Sequence, residues 1–436
     1  MPRTLHVVLL CRDDVADRMA GPAIRYWELG HALAARGHRV TLVARSMART
    51  SVVVRCLGEG DLPLGEVLAG ADVVLSQWLT PPELLALHRS GAAYVADAYD
   101  PMELEDLEAT RSVEPVLRRM RAKSLHGVHG LALAAADAVV CASERQRDLW
   151  LGSLLAMGRV TPAAYDRDPS LRDLIDVVPF GCPDGSPVRS GPGPRELFGL
   201  SEDDVVALWG GGVWDWFDPE VVLQALAALD HPRLHLVFMG LQHPTTPGGE
   251  TAGRTVRLAE ELGLTGRTVH FSYGWVPYDQ RQSYLLDADL SVTAHKDQVE
   301  TRFAFRTRVL DAFWAGLPCL LTEGDTMADL VAAAGAGPVL PFGDVPAWSK
   351  ALGRLADDLA ERRRCAASSA ALADGLRWSA IAERLERVLL AAQPRPRLGV
   401  AEAREVARYA GWGAAALHRE QGAGEIWRRL RARRVF

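Results

Sequence analysis

The chain has 436 residues, of which 48% are apolar and 24% charged, so it is globular in composition and long enough for two cores of roughly 200 residues each. Its 49 basic and 55 acidic side chains give a formal net charge of −6, which speaks against a dedicated nucleic-acid binder. No run of about 18 uncharged apolar residues occurs, which excludes a spanning helix.

The opening, MPRTLHVVLLCRDD, has too short an apolar run for a secretory leader and reads as a buried strand. The first half then alternates strand and helix patterns. Strands are predicted at 5–11, 39–44, 71–76, 92–99, 137–143 and 175–180, as continuous apolar runs suited to burial on both faces of a parallel sheet. The clearest helix follows Gly21-Pro22, where Tyr26, Leu29 and Leu33 share one face and Gly37 ends it. GCPDGSPVRSGPGPRE (181–196) has four glycines and four prolines, which is linker chemistry. The pattern restarts with strands at 205–212, 234–240, 267–274, 288–294, 318–322 and 337–342, and helices at 219–229 and 306–316. Helical stretches at roughly 400–420 and 424–434 follow QPRPRLG, and five of the last ten residues are arginine.

This order predicts an α/β protein of two Rossmann-like, doubly wound domains facing each other across a cleft. The expected boundaries are 1–180 for an acceptor domain, 181–200 for the linker, 201–392 for a donor domain, and 393–436 for helices packing back on the first domain. The arginine-rich end is either a solvated helix terminus or a weak contact with an acidic membrane surface. Cysteines at 11, 56, 141, 182, 319 and 365 form no CxxC pair or zinc spacing, and most sit in apolar runs. A reducing compartment, the cytoplasm, is expected.

The richest segment is SVTAHKDQVETRFAFRTRVLDAFWAGLPCLLTEGD (291–325). A strand ends near Ala294, a polar loop carries Glu300, Arg302 and Arg306, and a helix is expected from about Arg306 to Ala315, closed by Gly316. A loop that empties into a helix N-terminus is an anion site, to which Arg306 and its neighbour Thr307 add donors. Asp311, five residues past Arg306, is placed to accept from ribose hydroxyls. Arg308 is expected to point elsewhere, to a structural partner.

VLDAFWAGLPCLL resembles the second half of the donor motif of GT-B glycosyltransferases, and most closely family 4, the retaining nucleotide-sugar-dependent enzymes. Asp311 stands where that motif has its second glutamate. Phe303 stands eight residues earlier, where the first glutamate is usual, and Glu300 is the nearest acid. GPAIRYWELGHALAARGHRVTLVA resembles the family's first glycine loop and helix, and WGGGVWDWFDPEVVLQAL its second-domain phosphate loop, without the usual base in 214–218. FSYGWVPYDQRQSYLLDADLSVTA resembles its base-contacting segment.

The resemblance implies a metal-independent transfer of sugar from a nucleoside diphosphate donor to a lipid-linked or surface glycan, or to a small metabolite. No cofactor or metal is expected. Glu300, Arg306 and Asp97 are the catalytic candidates; Arg302, Thr307, Asp311, Trp275, Val276, Gly211, Gly212 and Gly21 are the donor-binding ones. A sugar-nucleotide epimerase of the same fold and a non-catalytic homologue that binds a partner transferase remain as alternatives. Several signals also have plainer readings. Asp97 ends a buried strand, and Asp100 before Pro101 reads as a helix cap. Asp13 and Asp14 read equally as surface residues. Asp287-Ala-Asp289 and Asp166-Arg-Asp168 are DxD matches of the kind chance supplies. His126 and His129 lack further metal ligands. Trp209 reads as core, and Trp214, Trp216 and His295 stand near the expected donor.

Overall fold

The computed structural model describes residues 3–241, 249–397 and 399–422. The described chain divides into two compact units. One comprises residues up to 16, 22–179 and 382 onward; the other comprises 17–21 and 180–381.

The first unit is built on seven parallel strands: β1 (His6–Val15), β2 (Arg39–Met47), β3 (Val54–Gly58), β4 (Val73–Ser76), β5 (Ala93–Asp97), β6 (Ala138–Cys141) and β7 (Ile175–Val177). Their order is β3-β2-β1-β4-β5-β6-β7, so the order reverses between β1 and β4. Leu9 of β1 is in register with Leu42 on one side and Leu75 on the other. Val8, Val74, Tyr94 and Val139 are fully buried in a core that the flanking helices close. Each predicted strand is present. β3 was not expected, and it lies at the sheet edge, where a polar, partly exposed VRCLG is tolerated. β1 also runs on past Cys11, so Asp13 and Asp14 belong to the strand and pair with Arg45.

The second unit repeats the plan with six parallel strands: β8 (Val205–Trp209), β9 (Leu234–Phe238), β10 (Val269–Phe271), β11 (Leu290–Thr293), β12 (Cys319–Thr322) and β13 (Val339–Leu340). The order is β10-β9-β8-β11-β12-β13, reversing between β8 and β11. Trp209, Leu236, Phe238, Val292 and Trp348 are fully buried in its core. The glycine- and proline-rich 181–196 stretch is fastened to this unit. Arg189 pairs with Asp287, Ser190 N–H donates to Ser283 Oγ at 3.0 Å, and Arg195 holds Asp289 at 2.8 Å.

The acids before three strands share one job. Asp72, Asp137 and Asp289 each accept a backbone N–H from the first or second residue of the adjacent strand, from His6, Tyr94 and Val206 at 2.7–2.8 Å. Backbone N–H groups and the arginine pairs engage both Asp287 and Asp289. The Asp166-Arg-Asp168 match is also spoken for in part, since Asp168 accepts from the Ser170 hydroxyl at 2.6 Å. The six cysteines are unpaired.

After the second unit, Arg397 is drawn into the first and buried against Asp137. Helix Val400–Gln421 then lies along helix Pro115–Ala135. The expected helix at 424–434, with its arginines, lies outside the described residues. Among the described residues no helix is long and apolar enough to cross a membrane.

That helix pair depends on two glycines. A Cβ at Gly127 would stand 2.4 Å from the Tyr409 backbone N, and one at Gly130 would stand 2.6 Å from the Glu405 carboxylate. Glycine costs a helix interior about 1 kcal/mol relative to alanine. Here the close approach outweighs it. Gly127→Ala is therefore expected to lower the melting temperature by at least ~2 °C, as overpacking costs about 1–3 kcal/mol. Gly152→Ala, in helix Glu144–Ala156 with nothing within 4 Å, is expected to raise it. Thermal melts followed by circular dichroism check both signs.

Candidate functional site

The donor-site expectations converge at the carboxyl ends of β8 and β11 in the second unit. β8 ends at Trp209 and turns through Gly210–Gly212. Gly211 takes φ +118°, a conformation other residues rarely adopt. Gly212 is required by close approach, since a Cβ there would meet the Trp275 indole at 2.8 Å. β11 ends at Thr293 and feeds the loop that carries Glu300 and Arg306.

That loop contains a buried polar cluster. The Arg306 guanidinium forks onto Glu300, with Nη1–Oε1 2.8 Å and Nη2–Oε2 2.6 Å. The Asp325 carboxylate stands 3.6 Å from Arg306 Nε and also caps helix Thr326–Ala334 through the Ala328 N–H. Glu300 is 2% exposed and Arg306 5%. A fork of this kind is charge-assisted and geometrically strict.

The pair corrects two expectations. Arg306 does not open the helix, which runs Arg308–Ala315 with Thr307 as its N-cap residue. Nor does Arg306 turn its fork to the helix start, because Glu300 holds it, and Glu300 by the same token has both oxygens engaged. The N–H groups of Val309 and Leu310 already turn to the carbonyls of Arg306 and Thr307, at 3.0 Å each. The helix start therefore presents fewer unpaired donors than a bare N-terminus.

Arg308 takes the place expected for Arg306. It lies in the first turn and donates through Nη2 to the Gly212 carbonyl at 2.8 Å. Its guanidinium lies 3.9 Å from the Phe217 ring centre and 5.4 Å from that of Trp209. Among the described residues it has no carboxylate within ion-pair distance, and Nη1 is buried without a hydrogen-bond partner. Burial, with Arg306 close by, lowers its pKa to about 9. An arginine so destabilised is a strong anchor for an anion. It also answers the absence of a base in 214–218, from the far side of the glycine loop.

The remaining expected residues fall as follows. Asp311 accepts from Arg281 Nε at 3.2 Å. Trp275 covers Gly212, and its indole N–H donates to the Met19 carbonyl at 3.2 Å. Val276, beside it, is half-buried. Arg302 is exposed on the short helix Val299–Phe303. Gly21 opens helix Gly21–Ala35. Asp97 belongs to the first unit, where it is fully closed in by Arg25, with Nε–Oδ2 2.8 Å and Nη2–Oδ1 2.9 Å. Trp214 and Trp216 stack at 5.8 Å beside the glycine loop, and Trp209 is core. Asp100 lies two residues before helix Met102–Ala109, whose N-cap position is Pro101.

His295 is the residue whose surroundings the sequence least disclosed. It is 1% exposed and packs on Phe217, and neither ring nitrogen has a hydrogen-bond partner. Asp325 is 3.9 Å from its Nδ1. Burial, then Arg306 and Arg308, hold its pKa well below the usual imidazole value, so the ring is neutral in the folded chain. Burial raises Asp325 to about 6.

Comparison with known proteins fits this geometry. Residues 202–372 match the family model described as glycosyl transferases group 1. No curated protein matches the chain by sequence. Solved structures do match. Sucrose-phosphate synthase from Thermosynechococcus elongatus superposes with a TM-score of 0.62 at 19% identity, over 88% of this chain and 98% of that one. WaaG, a glycosyltransferase involved in lipopolysaccharide biosynthesis, gives 0.60 at 19% identity, over 88% and 99%. Anabaena HepE, solved in complex with UDP and glucose, gives 0.60 at 14% identity, over 88% and 99%.

A pH prediction follows from His295. A histidine neutral when folded, but titrating normally when unfolded, costs stability as pH falls below about 6.5. Asp325 acts oppositely, since its folded carboxyl takes up a proton before the unfolded one does. Comparing wild type with His295→Asn isolates the first effect. Between pH 7.5 and 5.5 the wild type is expected to lose about 1.4 kcal/mol more than the variant, the linkage of one proton. Urea denaturation at the two pH values measures it.

The fold is the two-unit, parallel-sheet architecture of the GT-B glycosyltransferases, and within it residues 202–372 match the glycosyl transferases group 1 model.

Proposed function

We propose that this chain transfers a sugar from a nucleoside diphosphate donor to an acceptor glycan or metabolite, with the donor diphosphate held between the Gly210–Gly212 loop and the start of helix Arg308–Ala315. The observation that carries this reading is Arg308, a cation without a carboxylate partner, fixed against the glycine loop of a group 1 domain. Negative charge grows on the diphosphate as the glycosidic bond breaks. Arg308 would meet that charge from a position already paid for in folding, the arrangement that makes preorganised electrostatics effective.

Arg306 and Glu300 then act as a pair that sets the loop, and Asp311 stands one helical turn from Arg308 on the ribose side. The HepE complex supports UDP as the first nucleotide to try. The likeness to family 4 supports retention of anomeric configuration, which proton NMR of the product would read. Six unpaired cysteines support a reducing compartment, the cytoplasm.

Two variants separate the roles. Arg308→Ala is expected to lower turnover by at least ~10²-fold with little loss of stability, the scale of one transition-state contact. Arg306→Ala leaves Glu300 buried and unpaired, and is expected to cost about 3–5 kcal/mol of stability. Nucleotide release on a panel of UDP-, GDP- and dTDP-sugars, alongside melting curves, distinguishes them. Near-wild-type turnover in the Arg308 variant would remove the proposed diphosphate contact.

A second test needs no acceptor. A nucleoside diphosphate at 100 times its Kd stabilises a specific binder by about 2.7 kcal/mol. One of UDP, GDP, dTDP and ADP is expected to raise the melting temperature of the wild type, and Arg308→Ala to abolish that rise. A panel with no shift would sink the donor reading.

A further inference from the structure

The first unit has a recess of its own, at the carboxyl ends of β4 and β5. Gln77 follows β4 directly, and Asp97, Ala98 and Asp100 follow from β5. Met102, His129 and Trp150 close it from three helices. The space is about 320 Å³ counting its open mouth, and the enclosed depth takes one group the size of a water molecule or a hydroxyl.

Gln77 is the unexplained residue in it. The side chain is 6% exposed, and its Nε2 points to the Met102 sulfur at 3.8 Å. A thioether is a weak acceptor, which sets the NH2 on that side and leaves the carbonyl oxygen the other way. That oxygen is buried and has no hydrogen-bond partner. A buried acceptor left unpaired costs about 1–3 kcal/mol, and a donor from outside the chain relieves that cost.

Three other polar groups around the recess are engaged. Arg25 holds both oxygens of Asp97. Trp150 Nε1 donates to the Ala98 carbonyl at 2.8 Å. His129 Nδ1 lies 2.7 Å from Glu103. The recess therefore has apolar and aromatic walls, the carboxylates of Asp97 and Asp100 in its lining, and the Gln77 oxygen as an open acceptor. A hydroxyl carried on a compact, partly apolar body matches it: the O–H donates to Gln77, and the carbon face lies against Met102 and Trp150.

We propose that this recess seats a hydroxyl-bearing group of a saccharide, as the anchoring contact of the acceptor. This rests on the transfer reading for its biological sense, but the binding stands on Gln77 and can be measured without a donor. It selects a sugar over a hydrocarbon chain as the part of the acceptor that the first unit grips. A chain of CH2 groups would leave the Gln77 oxygen as unpaired as before.

The test uses the full-length protein without nucleotide. Saturation-transfer NMR with the methyl glycosides of glucose, galactose, mannose, rhamnose and N-acetylglucosamine reads saccharide binding directly, with octanol as the hydrocarbon control. The wild type is expected to bind at least one glycoside and not octanol. Gln77→Leu keeps the volume and removes the acceptor. It is expected to weaken that glycoside at least tenfold while melting no lower than wild type, a combination that a purely structural glutamine would not give. Gln77→Glu keeps an acceptor in place and is expected to bind within a fewfold of wild type. A wild type that binds none of the glycosides overturns the proposal, as does a Gln77→Leu variant that binds equally well. The nucleotide melting shift, measured on the same samples, is expected to be unchanged by either variant. Its absence in the wild type would count against the donor reading and leave the saccharide result to stand alone.

Discussion

The second unit's site depends on one buried guanidinium. Arg306 is forked onto Glu300 and lies against Asp325, with almost no exposure. Three elements meet at this side chain: the loop after β11, the short helix Val299–Phe303, and the cap of helix Thr326–Ala334. Desolvating these charges is costly, and the geometry must be good to repay it. A geometry that strict fixes where the chain goes next. It holds residue 306 outside the helix, so the helical turn begins at Arg308.

That two-residue difference decides which arginine does what. Had the helix begun at Arg306, that side chain would have faced the glycine loop, and Arg308 would have turned away. The loop instead buries the first arginine among carboxylates and leaves the second beside the Gly212 carbonyl. One cation is neutralised by the fold and serves it. The other is part-buried without gaining a carboxylate, and its pKa is lowered accordingly. Such a charge is a liability to the folded chain alone and an asset next to a phosphate.

The sheets were legible for a physical reason that the helix start lacked. Strands buried on both faces, such as LHVVLLC and VVALW, read as unbroken apolar runs, and all twelve expected ones are present. β3 escaped because an edge strand obeys no such constraint: VRCLG is short and carries an arginine. The glycine after the helix, Gly316, was legible because αL backbone there selects it at φ +64°. The start at Arg308 left no such mark. Thr307 makes no capping bond, and the residues that set the boundary, Glu300 and Asp325, lie 7 and 18 positions away in sequence. Local signals report local causes, and this cause is not local. The same holds for Asp97, whose partner Arg25 comes from a helix 72 residues earlier.

Unsatisfied polar atoms carry the remaining argument. In the first unit, Asp97 and Arg25 are as buried as Glu300 and Arg306, yet each of their charges is answered, and Arg25 also donates to the carbonyls of Val178 and Pro179. Full satisfaction is what a structural network requires. The Gln77 oxygen and both nitrogens of His295 depart from it just beyond β4 and β11, and the Arg308 Nη1 departs from it in the helix that follows the β11 loop. Buried cores hold such atoms too, at Tyr26 and Trp348, so what sets Gln77 and His295 apart is their place: they stand at strand ends, where open α/β sheets take their ligands.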